Sequence, residues 1–461
     1  MSRRTLAFSG VLHAKLAAHL LPPDGGESAA ILLCTFGHGE NASLIVRDFV
    51  PVPYAECTVR KTDYIVWPGK RLAEAQDRAE QDGMTMVLIH SHPGGLFDFS
   101  DADDVSDAVV IRHLFDGWCG PTPTVIGSAV MIPGGAVRAR TYSEAGERLN
   151  MRVRVAGNDI SHYSPDPADL IIPMAFSDRM RAALKTRTAC IIGVSGTGSV
   201  MAEQVARLGF GRIILIDFDR IEHKNLNRVL NSTAADADGG RLKVEMFKAA
   251  IGSYRGDADV VAIGDTILSR DAVVAAASAD IIFSCVDGSE GRQVADLVAQ
   301  AYLIPLIDMG VTIPTRRTPS GAAAVADAIG RVDYVQPARS SLGSRGVYTP
   351  ESLRADYLAR VAPEVHADAV AEGYIKGVHA EAPGVIALNM RAASAAMLEY
   401  VARAFPFRHE PNENYARVVF SVAGMEEDTY PEGHFDMAMS HILGCGATEP
   451  LLGMPVLGLN E

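Results

Sequence analysis

The sequence predicts an α/β protein of two domains, the second built around a mostly parallel sheet. Three observations predict it. The chain has 461 residues, enough for two or three domains that each bury a core. Over roughly the first third, short apolar runs alternate with amphipathic stretches. From about residue 185 the order becomes strand, glycine-rich turn, helix, strand, the βαβ unit of a parallel sheet.

Each element follows from its residues. The N-terminus MSRRTLAFSGVLHAKLAAHLLPP has an early arginine pair but no sustained apolar core, so it reads as a short strand and a helix rather than a signal peptide. ESAAILLCTF and SLIVRDFVPV read as neighbouring strands, and KRLAEAQDRAEQDG as a helix stopped by glycine. MTMVLIHSH is a buried strand that runs into two histidines, DADDVSDAVVIRHLFDGW the next helix and TVIGSAVMI the next strand. The polar, turn-rich GNDISHYSPDPADL marks the domain boundary, giving domains 1–156 and 157–461. In the second, TACIIGVSGTGSVMAEQVARLGFGRIILIDFD is the βαβ unit, and DADVVAIG, ADIIFSCVD and LIPLIDMG add short apolar strands. Residues 313–380 read as an irregular crossover, PGVIALNMRAASAAMLEYVARAF as a buried helix rich in small residues, and ARVVFSV as a strand before a tail with no assigned place.

The formal net charge is −14. With no long Lys/Arg run, this excludes the cationic surface that nucleic acids and anionic membranes require. No run of 18 apolar residues occurs, so no membrane span is expected. The six cysteines are scattered, which fits a reducing, cytoplasmic setting.

The stretch VLIHSHPGGLFDFSDADD carries the first chemistry. His90 and His92 alternate on a strand, so their side chains share a face. Two imidazoles at a strand end make half of a zinc site, which takes three protein ligands and keeps one position open. Asp103, at the start of the next helix, is the natural third ligand. Glu27, opening an earlier strand, is the candidate general base. Two plainer readings stand beside this one: Ser100-x-x-Asp103 is also a helix capping box, and a His-x-His pair occurs by chance.

The joint pattern of a distant Glu27, then His90, His92, Pro93, Ser100 and Asp103, resembles the JAMM (JAB/MPN) metalloprotease family over roughly residues 5–155. The resemblance implies a peptidase or isopeptidase acting at the C-terminus of ubiquitin or a ubiquitin-like protein. It implies that Glu27 moves the proton of the attacking water and that Ser100 donates to the oxyanion. Two histidines and a carboxylate with an open position suit Zn²⁺, although the residues leave other metals possible.

IIGVSGTGSV, after a buried strand and before a helix, is a phosphate-binding turn. Gly193, Gly196 and Gly198 let the backbone approach a nucleotide. Asp217, ending the second strand, sits where a ribose-binding acid belongs in either a dehydrogenase or an ATP site. The continuation LIDFDRIEHKNLNR resembles the ThiF-like, ubiquitin-activating family through Asp217, Asp219, Asn225, Leu226 and Arg228, with Lys243 and Asp287 further on. That resemblance covers about 175–310 strongly and 380–405 loosely. It implies a Rossmann-like domain that adenylates the C-terminal glycine of a ubiquitin-like protein with ATP and Mg²⁺. In it Asp217 holds the ribose, Arg228 and Lys243 neutralise triphosphate charge, and Asp287 holds Mg²⁺.

The pattern departs at three places. Arg179 and Arg181 precede the first strand at a spacing that does not match the family's arginine-rich segment. Ser195 stands where glycine is usual. Ser341 and Ser344 stand where related proteins often carry Cys-x-x-Cys, and no cysteine lies between Cys285 and Cys445. Cys285 reads as structural, and Cys445, in a glycine-flanked stretch, as flexible enough to act.

Together the two patterns predict a two-headed enzyme of a bacterial ubiquitin-like pathway, of the kind partly linked to antiviral defence. One head trims or removes the modifier; the other adenylates it and passes it to a conjugating enzyme. Two alternatives remain: processing and activation of a sulfur-carrier protein, and an adenylation half that binds without chemistry. A homodimer is expected.

Overall fold

The computed structural model describes residues 4–39, 42–364 and 385–459. They form two compact units. The first comprises residues 1–172, 300–303 and 441–461, and the second 173–299 and 304–440.

The first unit contains β1 (Thr5–Ser9), α1 (Gly10–Leu20), β2 (Ala29–Phe36), β3 (Leu44–Pro51), the short β4 (Val59–Arg60) and β5 (Ile65–Val66), α2 (Lys70–Gln81), β6 (Thr85–Ser91), α3 (Asp101–Asp116), β7 (Ile126–Met131), β8 (Val137–Tyr142), β9 (Arg148–Ala156) and β10 (Ile160–Tyr163). Its main sheet runs β1-β3-β2-β6-β7-β8-β9-β10, and β1 also pairs with β9, so seven strands close on themselves. Both faces of β2 are buried, as its continuous apolar run requires. Ala30, Leu32 and Cys34 join the core under α1. Ala29, Ile31 and Leu33 join the other core, with Ala75 and Ala79 of α2 and Ile111 and Leu114 of α3.

The short β4 and β5 and, in the main sheet, β8 to β10 were not anticipated. β10 lies inside the stretch read as the domain boundary and pairs with β9, so the unit extends to residue 172 instead of 156. The C-terminal tail also belongs to this unit. Thr35 Oγ1 donates to the Gly444 carbonyl at 2.7 Å, and the Ala447 N–H donates to the Phe36 carbonyl at 2.8 Å. The tail buries Cys445, 7 % exposed, and burial raises its thiol. Cys445 is therefore not the flexible, available thiol that its glycine neighbours suggested.

The second unit contains α4 (Asp178–Leu184), β11 (Thr188–Ile192), α5 (Gly196–Leu208), β12 (Arg212–Ile216), α6 (Ala234–Asp238), α7 (Lys243–Tyr254), β13 (Asp259–Ile263), α8 (Arg270–Ala276), β14 (Ile281–Ser284), α9 (Ser289–Ala301), β15 (Leu306–Thr312), β16 (Thr315–Arg317), β17 (Ala323–Val325), β18 (Ile329–Val335), α10 (Pro350–Val361), α11 (Ile386–Ala404), β19 (Arg417–Ser421) and β20 (Glu426–Tyr430). Its sheet order is β13-β12-β11-β14-β15-β18-β19-β20. The first five of these are parallel, and the last three are joined antiparallel. The chain leaves β11 toward β12 and returns to β14 on its other side. That reversal opens a crevice at the carboxyl ends of the strands, where ligands bind in open α/β sheets.

Within the expected crossover 313–380, β18 is a full strand of the main sheet and α10 a regular helix, while residues 365–384 lie outside the described residues. The serines at the departed Cys-x-x-Cys positions bond each other across the loop between them. The Ser341 N–H donates to Ser344 Oγ and the Ser344 N–H to Ser341 Oγ, both at 2.9 Å, and Ser341 Oγ donates to Asp436.

Candidate metal centre and nucleotide site

In the first unit, β6 carries His90 at its buried end and His92 just past it. The His92 N–H donates to the Met131 carbonyl at 2.8 Å, and His90 is paired across the sheet with Ala29 and Val130. The loop 93–99 returns the chain to α3, where Ser100 and Asp103 cap the helix reciprocally. The plain reading of Ser100-x-x-Asp103 as a capping box therefore holds, and it leaves the Asp103 carboxylate facing the histidines. Asp103 Oδ2 accepts from the Ser100 N–H at 2.7 Å and from Ser100 Oγ at 2.8 Å, while Oδ1 lies 3.1 Å from His90 Nε2.

Three ligand atoms converge here. His90 Nε2 and His92 Nε2 are 3.0 Å apart, and His92 Nε2 is 3.4 Å from Asp103 Oδ2. Ligand atoms of a tetrahedral zinc site, at their usual bond lengths, stand about 3.3 Å from one another, so these residues fit that ion. This is also the one group of metal-competent side chains found among the described residues. His92 Nδ1 is 2.9 Å from the Leu96 carbonyl. That bond makes Nδ1 the protonated nitrogen and leaves Nε2 free to ligate.

Glu27 lies two residues before Ala29, the partner of His90, and is 6 % exposed. Its N–H donates to the Lys61 carbonyl at 2.7 Å. Burial raises its carboxyl above the ordinary carboxylate range, against the opposing charges of His90 and His92. Asp103 is also pushed up by burial, but its hydrogen bonds with the two histidines outweigh this and hold it well below that range.

A second layer was missed in the sequence. Arg140 of β8, 3 % exposed, bridges to α3. Its Nη2 lies 2.6 Å from Asp107 Oδ2, it pairs with Asp104, and its guanidinium carbon sits 3.5 Å over the Phe99 ring. The Tyr142 hydroxyl donates to the same Asp107 oxygen at 3.0 Å. Arg60 acts similarly for Glu27: it pairs with Asp24 at 2.7 Å and donates to the Gly26 carbonyl at 3.1 Å. The only sequence signal was one helical turn, which puts Asp107 below Asp103.

In the second unit, Gly193 follows β11 with φ of +85°, a left-handed conformation that glycine adopts freely. A Cβ on Gly198 would lie 1.8 Å from the Gly193 carbonyl oxygen, so the turn can close onto α5 only with glycine there. Ser195 has φ of −101°, so it takes the usual glycine position without a glycine-only backbone. Asp217 follows β12 and fastens the turn: its Oδ2 accepts from the Val194 N–H at 2.6 Å and its Oδ1 from the Asp219 N–H at 2.8 Å. Burial raises its carboxyl, and Lys243 opposes that.

Lys243 is 2 % exposed, with Nζ 2.6 Å from Asp219 Oδ2. Val194, Asp217, Asp219 and Lys243 thus form one connected group. The other expected residues have local partners. Asn225 accepts the Glu222 N–H at 3.0 Å and caps its own turn. Arg228 is half-buried and donates to the Lys224 carbonyl at 2.8 Å. Asp287, following β14, is exposed, and its carbonyl accepts from Arg292 at 3.2 Å.

Comparison with known proteins agrees with this division. Residues 10–143 match the family described as prokaryotic homologs of the JAB domain, and residues 169–339 match the ThiF family. The chain therefore carries a JAB-like stretch followed by a ThiF-like one, and relatives of the second include ubiquitin-activating-type enzymes. A tRNA threonylcarbamoyladenosine dehydratase of Bacillus subtilis (strain 168) is 39% identical over 80 residues, 17% of this chain and 31% of that protein. A ubiquitin-like modifier-activating enzyme 5 of Drosophila persimilis is 27% identical over 141 residues, 28% of this chain and 36% of that protein. The chain thus spans about a third of the length of the curated relatives it matches. Among solved structures, E. coli MccB with ATP is 18% identical with a TM-score of 0.41, covering 56% of this chain and 67% of that one. No helix among the described residues is long and apolar enough to cross a membrane.

Proposed function

We propose that the first unit is a zinc-dependent peptidase or isopeptidase and that the second adenylates the C-terminal glycine of the same ubiquitin-like protein. The observation that carries the first half is the convergence of His90, His92 and Asp103 at the strand end paired beside Glu27. Zinc held there supplies a Lewis acid that polarises the scissile carbonyl and acidifies water. The rest falls to side chains of this chain. Glu27, buried and with its carboxyl raised by that burial, takes the proton of the attacking water and returns it to the leaving amine. Ser100 positions Asp103 through its hydroxyl, and we assign it a second role in steadying the oxyanion.

For the second half, ThiF-type adenylation enzymes use ATP with Mg²⁺. The turn 193–198 and the start of α5 receive phosphate, Lys243 offsets its charge once drawn from Asp219, Asp217 takes the ribose and Asp287 the Mg²⁺. Asn225 holds the turn that presents Arg228 to the phosphates. The product is an adenylate with release of pyrophosphate. The buried state of Cys445 favours hand-over to a thiol on a separate conjugating enzyme.

The test uses a ubiquitin-like protein extended at its C-terminal glycine. The full chain with zinc should release the extension, and Glu27→Gln should release it at least about a hundredfold more slowly while keeping its metal. Equal rates would remove Glu27 as the base.

A further inference from the structure

Helix α11 is rich in small and apolar residues, and one polar side chain breaks that pattern at the edge of the glycine turn. Asn389 lies in the first turn of α11 and is 4 % exposed. Its backbone N–H donates to the Val385 carbonyl at 3.1 Å, but its side-chain amide makes no hydrogen bond with the described residues. The amide rests on the first residue of α5: a Cβ on Gly196 would lie 2.4 Å from Asn389 Nδ2 and 3.2 Å from its Cγ. Glycine at 196 therefore makes room for this side chain.

Gln204 Nε2 donates to Ser394 Oγ at 3.0 Å further along the same two helices. Residues 196 to 204 thus run beside 389 to 394, and both helices begin at the same end. No side chain caps the start of α5, which is 13 residues long. The positive ends of two helix dipoles and an unpaired amide donor converge where the glycine turn opens. The residue as a whole is 4 % exposed, but its unpaired amide is not sealed from solvent, so an incoming acceptor can reach it.

We propose that Asn389 is a nucleotide-binding residue: its amide Nδ2 donates to the phosphate seated on the glycine turn at the start of α5. The proposal rests on the adenylation reading above. The test is calorimetric titration of the full chain with ATP, AMP and adenosine. Asn389→Ala should weaken ATP and AMP about tenfold, the loss of one hydrogen bond to a charged acceptor, and leave adenosine unchanged. Asn389→Asp, nearly the same shape, should weaken the phosphate-bearing ligands further by repulsion. Lys243→Ala reports on the proposed site itself. If both Asn389 variants bind ATP like the wild type while Lys243→Ala does not, Asn389 is a packing residue and the proposal is wrong. Equal losses for adenosine and ATP overturn it as well, because they signal general damage. A wild-type chain that binds no ATP refutes the adenylation reading, and this proposal with it.

Discussion

Single side chains around the metal centre divide into those that would hold the ion and those that hold the holders. Arg140 belongs to the second kind. Its guanidinium is the buried partner of Asp107, so Arg140→Ala leaves a carboxylate without its cation in a site that is 7 % exposed. Breaking such a pair costs about 3 kcal/mol or more, and thermal or denaturant unfolding should register a loss of that size. Arg140→Lys should recover little of it, because an ammonium cannot reproduce both the fork onto Asp107 and the stack on Phe99. The convergence of the candidate ligands was legible in the sequence because they follow one another along a strand and a helix start. Arg140 was not, because its acidic partners lie more than thirty positions away.

Elements show the same contrast. The turn from β11 to α5 was legible because its glycines report local geometry. Gly198→Ala should abolish tight ATP binding and destabilise the unit by about 1–3 kcal/mol, as overpacking does, since the added carbon meets backbone. Another element-level prediction concerns α9. Asp296 is fully buried, its Oδ2 accepts from the Leu342 N–H at 2.8 Å and the Tyr348 hydroxyl at 3.0 Å, and burial pushes it up to about 7. The folded chain then keeps this proton up to near pH 7, while the unfolded chain releases it near pH 4. The site's contribution to stability is full below pH 4 and declines as pH rises to 7, by up to roughly 4 kcal/mol. Asp296→Asn should remove that decline, seen as a flatter unfolding midpoint between pH 5 and 8. Strands β8, β9 and β18 escaped the sequence reading for a related reason: Arg140, Arg154 and Asp333 are buried within them, so strands of a core carry charges that normally mark a surface.

The two proposed chemistries have different requirements. A zinc-selective chelator, with Mg²⁺ kept in excess, should stop cleavage of an extended ubiquitin-like protein and leave ATP–pyrophosphate exchange intact, while Lys243→Ala should do the reverse. Loss of both activities under either treatment would contradict independent sites. The two-part organisation was legible from the change of pattern near residue 185, but the return of residues 441–461 to the first unit was not. That return depends on backbone hydrogen bonds between segments some four hundred residues apart, and no local composition encodes them. The central claim is that His90, His92 and Asp103 hold a zinc ion. Elemental analysis of the purified chain tests it most directly: about one zinc per chain is expected, falling to background in His90→Ala. A wild-type chain without zinc after reconstitution, or a variant that retains it, would contradict the claim.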